Sequence, residues 1–206
     1  MSENDKLTED KIFDAATLVF EEKGMDGARM QDIANKAGIN KALLHYYFRT
    51  KDRLFDAVFQ KVAARMLMKF APVFEKNLTL EEKIRFFYRE HITFLQENPR
   101  LPAFILHEIN RNPARVKKLL KNVDFKKFWL MLMEQHKNEL DKYNITEETM
   151  PQIMTTIAAI SVFPFAARGI LEGIFENLGV DFDKYIEERK DFAADFVISA
   201  LLNKKK

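Results

Sequence analysis

MQDIANKAGINKALLHYYFRTKD, residues Met30 to Asp52, decides how this chain is read. Ile33 and Ala34 stand where a short helix would face a core, and Ala37-Gly38-Ile39-Asn40 then breaks the helical pattern. Gly38 can end that helix in the left-handed conformation without a Cβ clash. Asn40 can cap the next helix by accepting from its free backbone N–H groups. The second helix, Lys41 to about Phe48, carries Lys41, His45, Tyr46 and Tyr47, with Leu44 and Phe48 as its core positions. It offers donors and aromatic rings rather than a continuous apolar face. The pattern is a helix-turn-helix.

Working outward, Thr50 caps a following helix that Lys51 opens, and a lysine beside free helix N–H groups makes a seat for phosphate. That helix continues through Leu54, Ala57, Val58, Val62 and Met66 to about Phe70. Upstream, Thr8 reads as the N-cap of a first helix, with Glu9 and Asp10 in its first turn. Ile12, Phe13, Ala16, Val19 and Phe20 recur at helical spacing, and Lys23-Gly24 ends the element. Charge is unevenly placed. Residues 1–24 hold seven acids against three lysines, whereas residues 36–53 hold Lys36, Lys41, Arg49, Lys51 and Arg53 against Asp52 alone. The chain's formal net charge is only +2, so its positive charge is concentrated on the helix-turn-helix and its exit.

The stretch is similar to the DNA-binding domain of the tetracycline-repressor (TetR) family of bacterial regulators. That family's pattern runs roughly Ile-Ala-x-x-Ala-Gly-Val-Ser, Gly-x-Leu-Tyr-Tyr-His-Phe, then x-Ser-Lys-Glu-x-Leu. Here the matching runs are Ile33 to Asn40, Ala42 to Phe48, and Arg49 to Leu54, with Thr8 to Gly24 as the preceding helix. The likeness covers about the first quarter of the chain. It implies a helix-turn-helix domain over residues 1–50 and a helical effector-binding and dimerisation domain over 51–206, joined by a continuous helix. It places Arg29, Gln31, Asn40, Lys41, Ala42, Leu43, His45, Tyr46, Tyr47 and Lys51 on the DNA-binding side. Lys41 and Ala42, at the start of the reading helix, would meet base edges in the major groove. Tyr46, Tyr47 and Lys51 would contact the phosphate backbone. Two positions depart from the family: Arg29 stands near its usual Thr or Ser, and His45 where it usually has Tyr.

The rest of the chain reads as helix throughout, so the fold class is all-α. Thr79-Leu80-Glu81-Glu82 is a capping box opening a helix through Ile84, Phe87, His91 and Phe94. Leu101 to Asn110 forms a short helix, and Asn112-Pro113 opens a long one to about Lys142. Glu147 to Asn177 is another long helix, in which Pro164 should make a kink; Gly179 stops it. Asp181 or Asp183 starts the last helix.

An unusual load of Phe and Met lies in this part, 19 and 9 in the whole chain. Phe87, Phe94, Phe104, His107, Phe128, Trp129, Met133, Phe163 and Phe165 are the candidate lining of a cavity for an unidentified small apolar or aromatic effector. His91, Glu108, Asn110 and Arg168 are further polar groups that could orient it. The resemblance implies a homodimer built from the last two long helices, through Met154, Ile157, Ser161, Gly169, Gly173, Phe192, Phe196 and Ala200. A dimer presents two reading helices, so a near-palindromic operator in double-stranded DNA follows from symmetry.

Other classes fit less well. The chain has no Cys, which removes disulfides, Cys-ligated zinc and thiol catalysis. None of His45, His91, His107 and His136 has Glu three residues before it, and no nucleophile elbow or phosphate-binding glycine loop is present. No catalytic, cofactor or metal site is expected. A nonspecific nucleic-acid binder would carry more positive charge than this chain does. The N-terminus is charged and the longest apolar run, Ile157 to Ala167, is too short to span a bilayer, so a cytoplasmic location without membrane contact is expected. The sequence reads as a ligand-responsive repressor, with an activator or an effector-independent regulator of the same fold as the alternative.

Overall fold

The computed structural model describes residues 3–70, 78–120, 125–143 and 145–202. Its elements are α1 (Glu3–Gly27), α2 (Met30–Ala37), α3 (Lys41–Tyr47), α4 (Lys51–Phe70), α5 (Leu80–Glu97) and α6 (Leu101–Arg111). They continue with α7 (Pro113–Leu120), α8 (Phe125–Gln135), α9 (Lys137–Lys142), α10 (Met150–Ala166), α11 (Arg168–Leu178) and α12 (Phe182–Leu202). The fold is all-α, and no strand occurs among the described residues. Packing divides the chain into two compact units: Met1–Met66 with Ala103–Asn122, and Leu67–Pro102 with Val123–Lys206. The first thus gathers α7 and most of α6 together with the helix-turn-helix, a grouping that sequence order does not suggest.

In the first unit, Ile12, Ala16 and Phe20 of α1 are fully buried with Ile33 and Ala34 of α2, Leu44 of α3 and Leu54 of α4. Each such burial contributes about 1.5–3 kcal/mol for the larger side chains, and this core holds the two short helices α2 and α3 against α1 and α4. Phe20 meets Phe55 edge-on at 5.2 Å, and Phe13 meets Phe48 at 5.6 Å. The first helix begins earlier than the sequence predicts. It starts at Glu3 rather than after Thr8, and the Tyr47 hydroxyl donates to Asp5 Oδ1 at 3.0 Å, anchoring the added turn to α3. Gly24 interrupts it at φ 64°, ψ 175°, a conformation only glycine adopts readily, which is the break predicted at Lys23-Gly24.

In the second unit α5 packs on α10 and α12. The Thr79 capping box forms as predicted: Thr79 Oγ1 accepts from Glu82 N–H, and Glu82 Oε2 accepts from Thr79 N–H at 2.7 Å. Asp181 rather than Asp183 caps α12, accepting from Lys184 N–H at 2.7 Å. Two predicted long helices are broken. In place of one helix from Ala114 to Lys142 there are α7, α8 and α9; His136 leaves the helical region at φ −116°, ψ 20°, and residues 121–124 lie outside those described. The predicted turn residue Asn144 also lies outside them.

In place of one helix from Glu147 to Asn177, α10 and α11 meet at Ala167 with a bend of 73°. Pro164 lies inside α10, which runs on past it to Ala166, so the break falls three residues beyond the proline. Its missing N–H leaves the Ile160 carbonyl without a helical donor. Arg189 of α12 fills that place, its Nε and Nη2 donating to Ile160 O at 3.2 and 3.1 Å. The two phenylalanines beside the proline part ways: Phe165 is buried and Phe163 is exposed. Arg189→Met should therefore destabilise the unit by about 1–2 kcal/mol, because a peptide acceptor loses a charged donor. The check is a lower urea midpoint with an unchanged denaturant slope.

Candidate nucleic-acid interface

The turn between α2 and α3 is built by local hydrogen bonds. Gly38 sits at φ 67°, ψ 30°, and its N–H donates to Asn35 O while Ile39 N–H donates to Ala34 O at 3.0 Å. This paired closure needs a left-handed residue, where a Cβ would be strained. Asn40 Oδ1 accepts from Leu43 N–H at 2.7 Å and caps α3. Arg29 precedes α2 in extended conformation and makes no side-chain cap, which is the consequence of lacking the hydroxyl residue there.

Of the residues expected at DNA, Arg29, Gln31, Asn40, Lys41, Ala42 and Tyr46 are exposed, and Leu43, His45, Tyr47 and Lys51 are half-buried. Tyr46 is 80% exposed, far beyond what a packing aromatic shows. Its ring meets the Tyr47 ring edge-on at 5.5 Å. The Tyr47 hydroxyl is engaged by Asp5, and burial together with that carboxylate raises its pKa. Gln31 Nε2 donates to Asn35 Oδ1 along α2, and His45 Nδ1 lies 3.3 Å from Arg49 O.

Thr50 caps α4, its Oγ1 accepting from Arg53 N–H at 3.2 Å. Lys51 does more than the sequence suggests. Its Nζ donates to Ala28 O at 2.9 Å and Asp26 O at 3.2 Å, so the ammonium ties the turn before α2 to the start of α4. An ammonium has three donors, and these bonds use two. Lys41, Arg49 and Arg53 are exposed and make no ion pair among the described residues, whereas Lys23 and Lys36 pair with Asp32 and Glu22. Positive charge thus remains uncompensated on α3 and its exit.

Arg115 was missed by sequence reasoning. It is only 14% exposed and grips α4 from α7, with Nη2 2.6 Å from Asp52 Oδ1 and Nε 2.9 Å from Asp56 Oδ1. Its guanidinium lies 4.9 Å from the centre of the Phe55 ring. Burial opposes its charge, but the hydrogen bonds it donates to Asp52 and Asp56, with their negative charge, outweigh that and raise its pKa. Arg111 likewise pairs with Asp26. Partners some sixty or more residues away leave no local pattern to read.

The candidate effector residues are dispersed. Phe104 packs on Phe55 at 5.6 Å within the first unit, and His107, also of that unit, is exposed. In the second unit Phe94 and Phe165 are buried, Phe87 and Met133 are half-buried, and Phe163 is exposed. The side chains of Phe128 and Trp129 lie outside those described. A polar pair does sit in this core: His91 Nδ1 is 2.8 Å from Ser161 Oγ, with the Phe87 ring 5.0 Å from the imidazole. Burial lowers the His91 pKa to about 4.

Of the candidate dimer residues, Met154, Gly169, Gly173, Phe192, Phe196 and Ala200 are exposed and Ile157 is half-buried. Ser161 is the exception. It is fully buried inside its own unit against His91, so it does not belong to that surface. α11 buries none of its residues, although it carries Ile170, Ile174 and Leu178.

The two short helices, the capped left-handed turn and the exposed, donor-bearing second helix define a helix-turn-helix protein of the DNA-binding type. Residues 12–58 match the family model for bacterial regulatory proteins of the tetR family. The chain is similar to the probable HTH-type transcriptional regulator YttP of Bacillus subtilis, 20% identical over 161 residues, 77% of each chain. Over 47 residues it is 45% identical to IcaR of Staphylococcus aureus, a negative regulator of the biofilm operon icaADBC; that match spans 23% of this chain and 25% of IcaR. A crystal structure of a TetR-like transcriptional regulator from Rhodococcus sp. RHA1 shares the fold, with TM-score 0.65 and 21% identity over 96% of this chain and 97% of that one.

Proposed function

We propose that the protein is a transcriptional repressor that binds a near-palindromic operator as a homodimer and releases it when a small apolar or aromatic effector binds. The observation that carries this is the surface of α3, where Lys41, Ala42 and Tyr46 are exposed beside Lys51. A packing helix would bury such an aromatic face, whereas a reading helix keeps it available to bases and phosphates. The same DNA-binding segment in IcaR belongs to a negative regulator, which favours repression. The dimer reading is supported by α11 and by Phe192 and Phe196 of α12, 63% and 58% exposed with their rings stacked at 6.3 Å. An uncovered apolar face of this kind needs a partner surface. The effector reading is supported by the His91–Ser161 pair among aromatic side chains, since ligand sites combine apolar walls with a few polar groups. Release requires only that the effector bind one dimer conformation better than the other. Such a protein acts on DNA in the cytoplasm.

The test is fluorescence anisotropy on DNA from the protein's own upstream region and on a scrambled duplex, with sedimentation reporting the dimer. Binding of the upstream fragment alone supports an autoregulating repressor; equal, weak binding of both counts against specific recognition of that fragment. Lys41→Ala should relax preference at one base position, at about 1–3 kcal/mol of discrimination. Equal losses on cognate and altered sites would remove Lys41 from base reading.

A further inference from the structure

Arg115 is the least exposed cation among the ion pairs described in the first unit, and nothing in the helix-turn-helix pattern predicts it. Its two partners, Asp52 and Asp56, stand on the first turns of α4, four residues apart and therefore about 6 Å along one face. Asp52 is the neighbour of Lys51 and lies in the otherwise positive stretch 36–53. Its carboxylate is 67% exposed on the side chain. A bare carboxylate there would lie within a Debye length, about 8 Å at physiological salt, of any phosphate that Lys51 meets. One guanidinium supplied from α7, outside the helix-turn-helix, bridges both carboxylates and offsets half of their combined charge.

We infer that Arg115 is a positioning residue for DNA binding: it holds the start of α4 and offsets part of the charge of two carboxylates that would otherwise repel the phosphate backbone more strongly. The inference rests on the DNA-binding reading above. Arg115 itself touches no DNA in this scheme; it acts through Asp52 and Asp56. Arg111 on Asp26 repeats the device at the turn whose carbonyl Lys51 holds. The effect is electrostatic, so it is independent of sequence and fades as salt rises.

The experiment measures anisotropy of the full chain on a mixed-sequence duplex from about 50 mM to about 200 mM salt, the range over which phosphate-driven binding changes most. Arg115→Met should weaken binding about three- to tenfold at the low end and less at the high end. Adding Asp52→Asn and Asp56→Asn to that variant should restore binding to within about twofold of the unaltered protein, which lost packing alone would not do. Asp52→Asn with Asp56→Asn in the presence of Arg115 should tighten binding, and this variant keeps the test decisive if Arg115→Met unfolds. Unchanged affinity in Arg115→Met, a loss that the asparagines do not reverse, or no tightening in the double variant would each overturn the inference. No binding by the unaltered protein would overturn the DNA-binding reading and this inference with it.

Discussion

Lys51→Ala is expected to weaken DNA binding by a similar factor on every sequence, about tenfold at near-physiological salt. One phosphate contact fewer should lower the slope of log affinity against log salt by about 0.9. The structure adds a second expectation. Lys51 Nζ holds the carbonyls of Ala28 and Asp26, so its removal should also cost about 1–2 kcal/mol of stability in the first unit. The two losses are separable: anisotropy across salt concentrations reads the first, and urea unfolding reads the second. An unchanged slope beside reduced stability would leave Lys51 as a purely structural clamp. A loss confined to the cognate site would move it among the base-reading residues.

The second unit should lose about 3 kcal/mol of stability between pH 7 and pH 4 through His91 alone. The imidazole titrates near 6.5 when unfolded, and burial against Ser161 and Phe87 lowers its pKa to about 4 in the fold. Between those values the unfolded chain binds a proton that the folded chain refuses, so stability falls as pH falls. The acids act in a lower window. Hydrogen bonds and nearby cations hold Glu82, Glu187 and Asp32 below their ordinary values, so their contribution is lost only as pH drops through and below the usual carboxylate range. Urea unfolding followed by the fluorescence of Trp129, the single tryptophan and part of the same unit, separates the two. His91→Gln should flatten the dependence between about pH 6.5 and pH 4.5 and leave the steeper acid limb in place. An unflattened curve would show that His91 is protonated in the fold.

His91 on α5 and Ser161 on α10 join two helices of one unit, and Ser161 was expected at a subunit surface instead. A serine among small apolar residues reads equally well as an interface position or as a buried partner. Only the histidine seventy residues earlier decides between them.

Sequence by itself determined the elements whose hydrogen bonds close within a few residues. Gly38, Asn40, Thr50 and the Thr79–Glu82 box each satisfy helix ends from within about four positions, so their residue types carry the answer. The helix-turn-helix was legible for that reason, as was the all-α class. The tertiary structure decided where a long helical pattern breaks and what a charged side chain is for. Periodicity runs on through His136 and Ala167, because it records which face is apolar rather than where a partner helix lets the chain bend. Pro164 marked the danger of a break, but Arg189 supplies the lost donor from another helix. Lys51 reads from the sequence as a phosphate seat and Arg115 carries no local signal; that one also holds the carbonyls of a turn and the other the carboxylates of α4 is decided by packing. Those partners are distant in sequence and are brought close only by packing, so no local pattern encodes them.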